Sequence, residues 1–142
     1  MHNDSLVQDL TFCVHHTMLP VADLDRSIDF YTRLLGMKVK ERHANEARKT
    51  DVGLIGYGAT ATAPFLELTQ TIGDQAPTRV APLNAHIAID VSDLRKLCTV
   101  LEKERVTFVR PFKQRGDGKG FSAWIKDPDG NEIELAERHS NL

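Results

Sequence analysis

The 142-residue chain predicts an α+β fold of two tandem βαβββ modules, forming a curved mixed sheet with helices on its outer face. Three observations predict it. A histidine opens each half, His16 and His86, 70 residues apart. A glutamate closes each half, Glu67 and Glu134, 67 residues apart, within Leu66-Glu67-Leu68 and Ile133-Glu134-Leu135. Between them the same order recurs: strand, capped helix, three strands.

Residues 1–10 lack periodicity and read as an N-terminal arm. The first module spans 11–72. Its run Phe12-Cys13-Val14-His15-His16-Thr17-Met18-Leu19 is β-rich and stops at Pro20. Asp23 is an N-cap, and Leu24, Ser27, Ile28, Tyr31 and Leu35 follow at helical spacing. Gly36 ends that helix, and strands follow over 37–42, 50–57 and 63–69. Residues 73–82, with Pro77 and Pro82, form a linker.

The second module spans 83–138, leaving 139–142 as a tail. A strand over 83–91 precedes the cap Asp93 and the helical stripe Leu94, Leu97, Cys98 and Leu101. Strands follow over 106–112, 120–126 and 131–136, the last two joined by a turn at Asp127-Pro128-Asp129-Gly130.

Strand alternation places the chemistry. Ile87, Ile89 and Val91 share the face under the helix, which leaves His86 on the other. Thr17, Leu19 and Val21 do the same opposite His16. Leu66 and Leu68 turn Glu67 outward, as Ile133 and Leu135 turn Glu134. A single glutamate on a polar strand face is ordinarily just solvated, and a single strand histidine is ordinarily structural. Two of each, matched across a repeat, point to a divalent metal site on a pseudo-twofold axis. His15 has the opposite parity and reads as structural or as support for His16. Glu132 directly follows the turn and reads as exposed; His2, His43 and His139 read as surface residues. The mixed charges of 41–49 read as a solvated loop. The glycine-rich stretch 115–120 lacks a phosphate-loop spacing and reads as a mobile loop over a ligand.

With 41% hydrophobic and 27% charged residues, the chain has the makings of a single soluble domain. A net charge of -2 gives no footing for nucleic acid or an anionic membrane. Met1-His2-Asn3-Asp4 lacks the basic start of a secretory signal, and no apolar run is long enough to span a bilayer. Cys13 and Cys98 lie in apolar segments without metal or redox spacing. They read as buried reduced thiols of a cytoplasmic protein.

The strings His16-Thr17-Met18-Leu19, Ser27-Ile28-Asp29-Phe30-Tyr31-Thr32 with Leu35-Gly36-Met37, Leu66-Glu67-Leu68-Thr69, His86-Ile87-Ala88-Ile89 and Asp127-Pro128-Asp129-Gly130 resemble glyoxalase I (lactoylglutathione lyase) of the vicinal oxygen chelate superfamily. The resemblance implies that His16, Glu67, His86 and Glu134 bind one divalent ion per site, with Ni²⁺ or Co²⁺ favoured and Zn²⁺ possible. It implies a homodimer whose sites take His16 and Glu67 from one chain and His86 and Glu134 from the other. The reaction it implies turns the hemithioacetal of methylglyoxal and a thiol such as glutathione into a 2-hydroxyacyl thioester through an enediolate. Glu134 would be the main base and Glu67 its counterpart. Pro20, Thr71 and Ile72 depart from the family pattern where glutathione is held. Lys49, Thr71 and Lys119 are the substrate-binding candidates. Two other readings stay open: another metalloenzyme of the superfamily (epimerase, lyase or dioxygenase), or a metal-free module that sequesters a ligand.

Overall fold

A computed structural model describes residues 6, 10–58 and 64–138. His2, His139, the tail and most of the arm therefore lie outside the described residues. The first module runs β1 (His16–Pro20), α1 (Leu24–Asp29), β2 (Lys38–Asn45), β3 (Thr50–Gly56) and β4 (Phe65–Thr71). The second repeats the order as β5 (His86–Asp90), α2 (Leu94–Lys103), β6 (Phe108–Gln114), β7 (Phe121–Lys126) and β8 (Glu132–Glu137). Each module closes its own four-stranded sheet, β1-β4-β3-β2 and β5-β8-β7-β6. In both, the first strand lies parallel to the last and the other pairings are antiparallel.

The caps are the expected ones. Asp23 accepts from the Arg26 backbone N–H and Asp93 from that of Lys96, each at 3.0 Å. α1 then widens into a π-helical stretch, Phe30–Leu34, where the Thr32 hydroxyl donates to the Ile28 carbonyl. Gly36 follows with φ 73°, a left-handed turn that suits glycine. Leu68, Ile133 and Leu135 are fully buried, and the buried apolar side chains of both modules form one shared core. Burial of each such side chain is worth about 1.5–3 kcal/mol.

The turn between β7 and β8 joins the modules. The Asp127 carboxylate accepts from the Tyr31 hydroxyl at 2.7 Å, the Asn131 side chain, and the backbone N–H groups of Asp129 and Asn131. Asp129 accepts from the Ala22 N–H and the Ser27 hydroxyl and pairs with Arg26. Arg33 adds a bridge to Glu104 at 3.0 Å. Every one of these tyrosine, serine, alanine and arginine donors belongs to the first module.

Several expectations change. Cys98 is buried but Cys13, which precedes β1, is exposed. Thr17 is exposed as well: β1 is a sheet edge, and of its residues only Leu19 is buried. Much of the stretch expected as a solvated loop, 41–45, is strand, since β2 continues pairing with β3 as far as Asn45 opposite Thr50. Glu132 is half-buried rather than exposed because β8 begins with it. No helix among the described residues is long and apolar enough to cross a membrane.

Candidate metal centre

Register builds each half-site. Glu67 lies opposite Met18 on β1, and Glu134 lies opposite Ala88 on β5. In both cases the histidine stands two residues earlier on the first strand, so it meets its glutamate diagonally across the same face. The side chains close that gap. His16 Nε2 is 3.3 Å from Glu67 Oε2, and His86 Nε2 is 3.5 Å from Glu134 Oε2. Two adjacent ligands of one ion with bonds of about 2.1 Å would stand about 3 Å apart, so both pairs fit a metal edge. The pairs remain open to solvent, from 18% exposed at Glu134 to 48% at His86. A groove of about 430 Å³, lined in part by Asn84, Lys126 and Glu132, opens beside His86.

The two pairs do not meet within one chain. Among the described residues, no three histidine, cysteine, aspartate or glutamate side chains are grouped to hold a metal. The four residues are thus brought together as two separate pairs, His16–Glu67 and His86–Glu134.

The surroundings of the half-sites differ. Glu67 lies between Met18 and Leu54 on the neighbouring strands, and Thr69 donates a long hydrogen bond to it at 3.5 Å. His15 stacks edge-on against Phe65 and shares a 2.8 Å contact with His16 through the two Nδ1 atoms, which makes it a support for that ring. Glu134 lies between Ala88 and Trp124. The Trp124 ring meets His86 at 4.8 Å and carries the Arg110 guanidinium on its face. Arg115 and Arg138 approach Glu134 Oε1 at 3.7 and 3.8 Å.

Arg115, Arg138 and Trp124 are the neighbours that sequence reasoning missed. The strand parity of Glu134 could have found Arg138, four residues on along the same face. Arg115 depends on the glycine-rich stretch, which forms a turn between β6 and β7. The Arg115 N–H donates to the Gly120 carbonyl, and Gly118 returns to Arg115. Gly120, at φ 96°, lets that turn lie directly on β8: a Cβ there would stand 1.8 Å from the Glu137 carbonyl oxygen. Asp117 accepts from the Lys119 N–H and then from Arg115, and these contacts hold its carboxyl below the usual range. Arg115 Nε is buried without a hydrogen-bond partner among the described residues, at a cost of about 1–3 kcal/mol.

The substrate-binding candidates sit at turns and strand ends. Lys49 turns β2 into β3 and accepts through its carbonyl from the Ile72 N–H, beside the exposed Thr71. Lys119 occupies the matching turn of the second module.

Paired βαβββ modules with a histidine–glutamate couple on each define a class. Residues 14–135 match the Glyoxalase/Bleomycin resistance protein/Dioxygenase superfamily, and the chain belongs to it. Among its relatives is the lactoylglutathione lyase of Escherichia coli O157:H7, 35% identical over 122 residues, covering 86% of this chain and 90% of that one. The lactoylglutathione lyase of Neisseria meningitidis serogroup A is 32% identical over 125 residues, covering 88% and 90%. The trypanothione-dependent glyoxalase I of Leishmania major superposes with a TM-score of 0.75 at 36% identity, covering 89% of this chain and 87% of that one. The chain is an enzyme of the glyoxalase I kind.

Proposed function

We propose that the protein is a metal-dependent isomerase, acting on the hemithioacetal that a 2-oxoaldehyde such as methylglyoxal forms with a thiol. The observation that carries this is the repeated Nε2–Oε2 couple, His16–Glu67 and His86–Glu134, set in the same register on two modules. Because the described residues of one chain bring only two donors to each place, the complete centre takes His16 and Glu67 from one copy and His86 and Glu134 from a second. A divalent ion held by these four would act as a Lewis acid, stabilising negative charge on the substrate oxygens. Imidazole and carboxylate donors suit Ni²⁺, Co²⁺ or Zn²⁺.

The chain's own residues supply the proton chemistry. Glu134 removes the proton from the carbon bearing sulphur, and a carboxyl at the same edge returns it to the neighbouring carbonyl carbon. Nothing is added or lost overall: the aldehyde carbon is oxidised to a thioester while the ketone is reduced to an alcohol. Glu67 stands on the opposite side of the pseudo-axis. Pro20 and Thr71 leave the thiol's identity open between glutathione and another small thiol, and the trypanothione-dependent relative is an instance of the latter. Two unlinked cysteines suit a reducing cytoplasm.

The test is thioester formation from methylglyoxal and excess glutathione by metal-stripped protein, resupplied in turn with Ni²⁺, Co²⁺, Zn²⁺ and Mn²⁺. Metal-dependent turnover is the expected result. Full activity in the stripped protein would overturn the reading.

A further inference from the structure

The two oxygens of Glu134 face different partners. Oε2 faces His86, while Oε1 faces Arg115 Nη1 at 3.7 Å and Arg138 Nη2 at 3.8 Å. Arg138 is itself paired with Asp90, and Arg115 with Asp117. A line of alternating charge thus runs from β5 across β8 to the β6–β7 turn. Glu67 has nothing comparable: among the described residues its polar neighbours are His16 and the Thr69 hydroxyl.

We propose that Arg115 and Arg138 are positioning residues for Glu134: their guanidiniums draw on Oε1, so they would weaken its hold on a metal and keep the carboxylate poised as the base, a restraint that Glu67 lacks. This rests on the metal-centre reading above. A carboxylate with a cation at each oxygen is held less firmly by either, because the two cations repel one another. The rigid guanidinium fork gives the leaving carboxylate somewhere to go without rearranging the site. Arg115 Nε adds the missing piece: among the described residues it is buried without an acceptor, on the same guanidinium whose Nη1 faces Glu134, and a turning carboxylate would supply one. The arginines act through Glu134 and need touch no substrate.

The test exploits opposite signs. Trp124 is the chain's only tryptophan and lies 4.8 Å from His86, so Co²⁺ titrated into metal-stripped protein should quench its fluorescence. Arg115→Ala and Arg138→Ala should each bind Co²⁺ about two- to fivefold more tightly, the scale of a solvent-exposed ion pair. Each should also lower kcat for the methylglyoxal–glutathione adduct by about 10- to 100-fold with KM unchanged. Arg115→Lys should recover part of both changes. Arg138 is more than a third exposed, so its variant tests the idea even if Arg115→Ala folds poorly. Weaker Co²⁺ binding together with lower kcat would mean structural damage and overturn the proposal, as would no change in either. Wild-type protein that shows no Co²⁺ quenching would instead sink the metal-centre reading, and the proposal with it.

Discussion

In the first module the glutamate lies among Met18, Leu54 and a hydroxyl; in the second it lies among a tryptophan and two guanidiniums. The strand pairings beside the two glutamates repeat each other in register, so the difference lies in the side chains there and in the irregular β6–β7 hairpin that brings Arg115. It teaches that a pseudo-symmetric fold need not give symmetric chemistry. The register supplies two equivalent histidine–glutamate pairs, and the side chains gathered around each make the two carboxylates different. An apolar wall and a cationic wall would then face each other wherever two copies complete a centre.

The largest effect expected from this asymmetry is on turnover. Glu134→Gln should lose at least about 100-fold in kcat, as removal of a general base does, and Glu67→Gln clearly less. Equal losses in a kinetic assay would erase the distinction. Mixing the two variants sharpens it further. A hybrid pair holds one centre with both defects and one with none, so random pairing should restore about a quarter of wild-type activity. No recovery would mean that the half-sites are not shared between copies.

A second contrast lies in the turns that close the modules. Among the described residues the second module offers buried carboxylates, Asp127 and Asp129, to its neighbour, and the donors to Asp127 would be left unpaired in Asp127→Ala. That variant should lose about 3 kcal/mol, or about 10 °C in Tm by calorimetry, and an unchanged Tm would deny the joint its role. Tyr31 gives the same joint a pH signature. Burial first, then the Asp127 charge and hydrogen bond, push its hydroxyl far above the ordinary tyrosine range. An unfolded tyrosine ionises near pH 10, while the folded one keeps its proton. Stability is therefore intact below about pH 10 and falls above it by about 1.4 kcal/mol per pH unit from this group. Denaturant melts of Tyr31→Phe should show a flatter alkaline slope than wild type.

The smallest effect concerns the matching hairpin turns. The first module holds Lys49 at φ 52°, where the second uses Gly118 and Gly120. Lys49→Gly should cost nothing and gain up to about 1 kcal/mol, since a side chain strains that conformation. A measured loss of stability would show that the Lys49 side chain makes a contact worth more than the strain.

Much of this was legible in the sequence because it depends on period and offset. Strand alternation and the 70-residue spacing of the histidines were enough to put His16, Glu67, His86 and Glu134 on one kind of face. Asp23 and Asp93 announced the helices through their capping chemistry. Arg115 was not legible, because its position depends on irregular pairing: the β6–β7 register shifts twice, between Phe108 and Arg110 and again before Lys113. Each shift changes which side chains share a face, and no local pattern marks where it occurs. The interlock of Tyr31 with Asp127 was hidden for another reason. It joins residues 96 positions apart, and the turn motif is fully explained by its local geometry alone.

The Asp127–Gly130 turn has one more consequence. Between Gly73 and Ala85 the chain forms no strand or helix, while the turn and the shared core bind the modules side to side. The modules are therefore held together by this interlock and the shared core as well as by the tether. A protease nick in that tether should leave two fragments that stay together, and the halves made as separate polypeptides should find each other and reassemble.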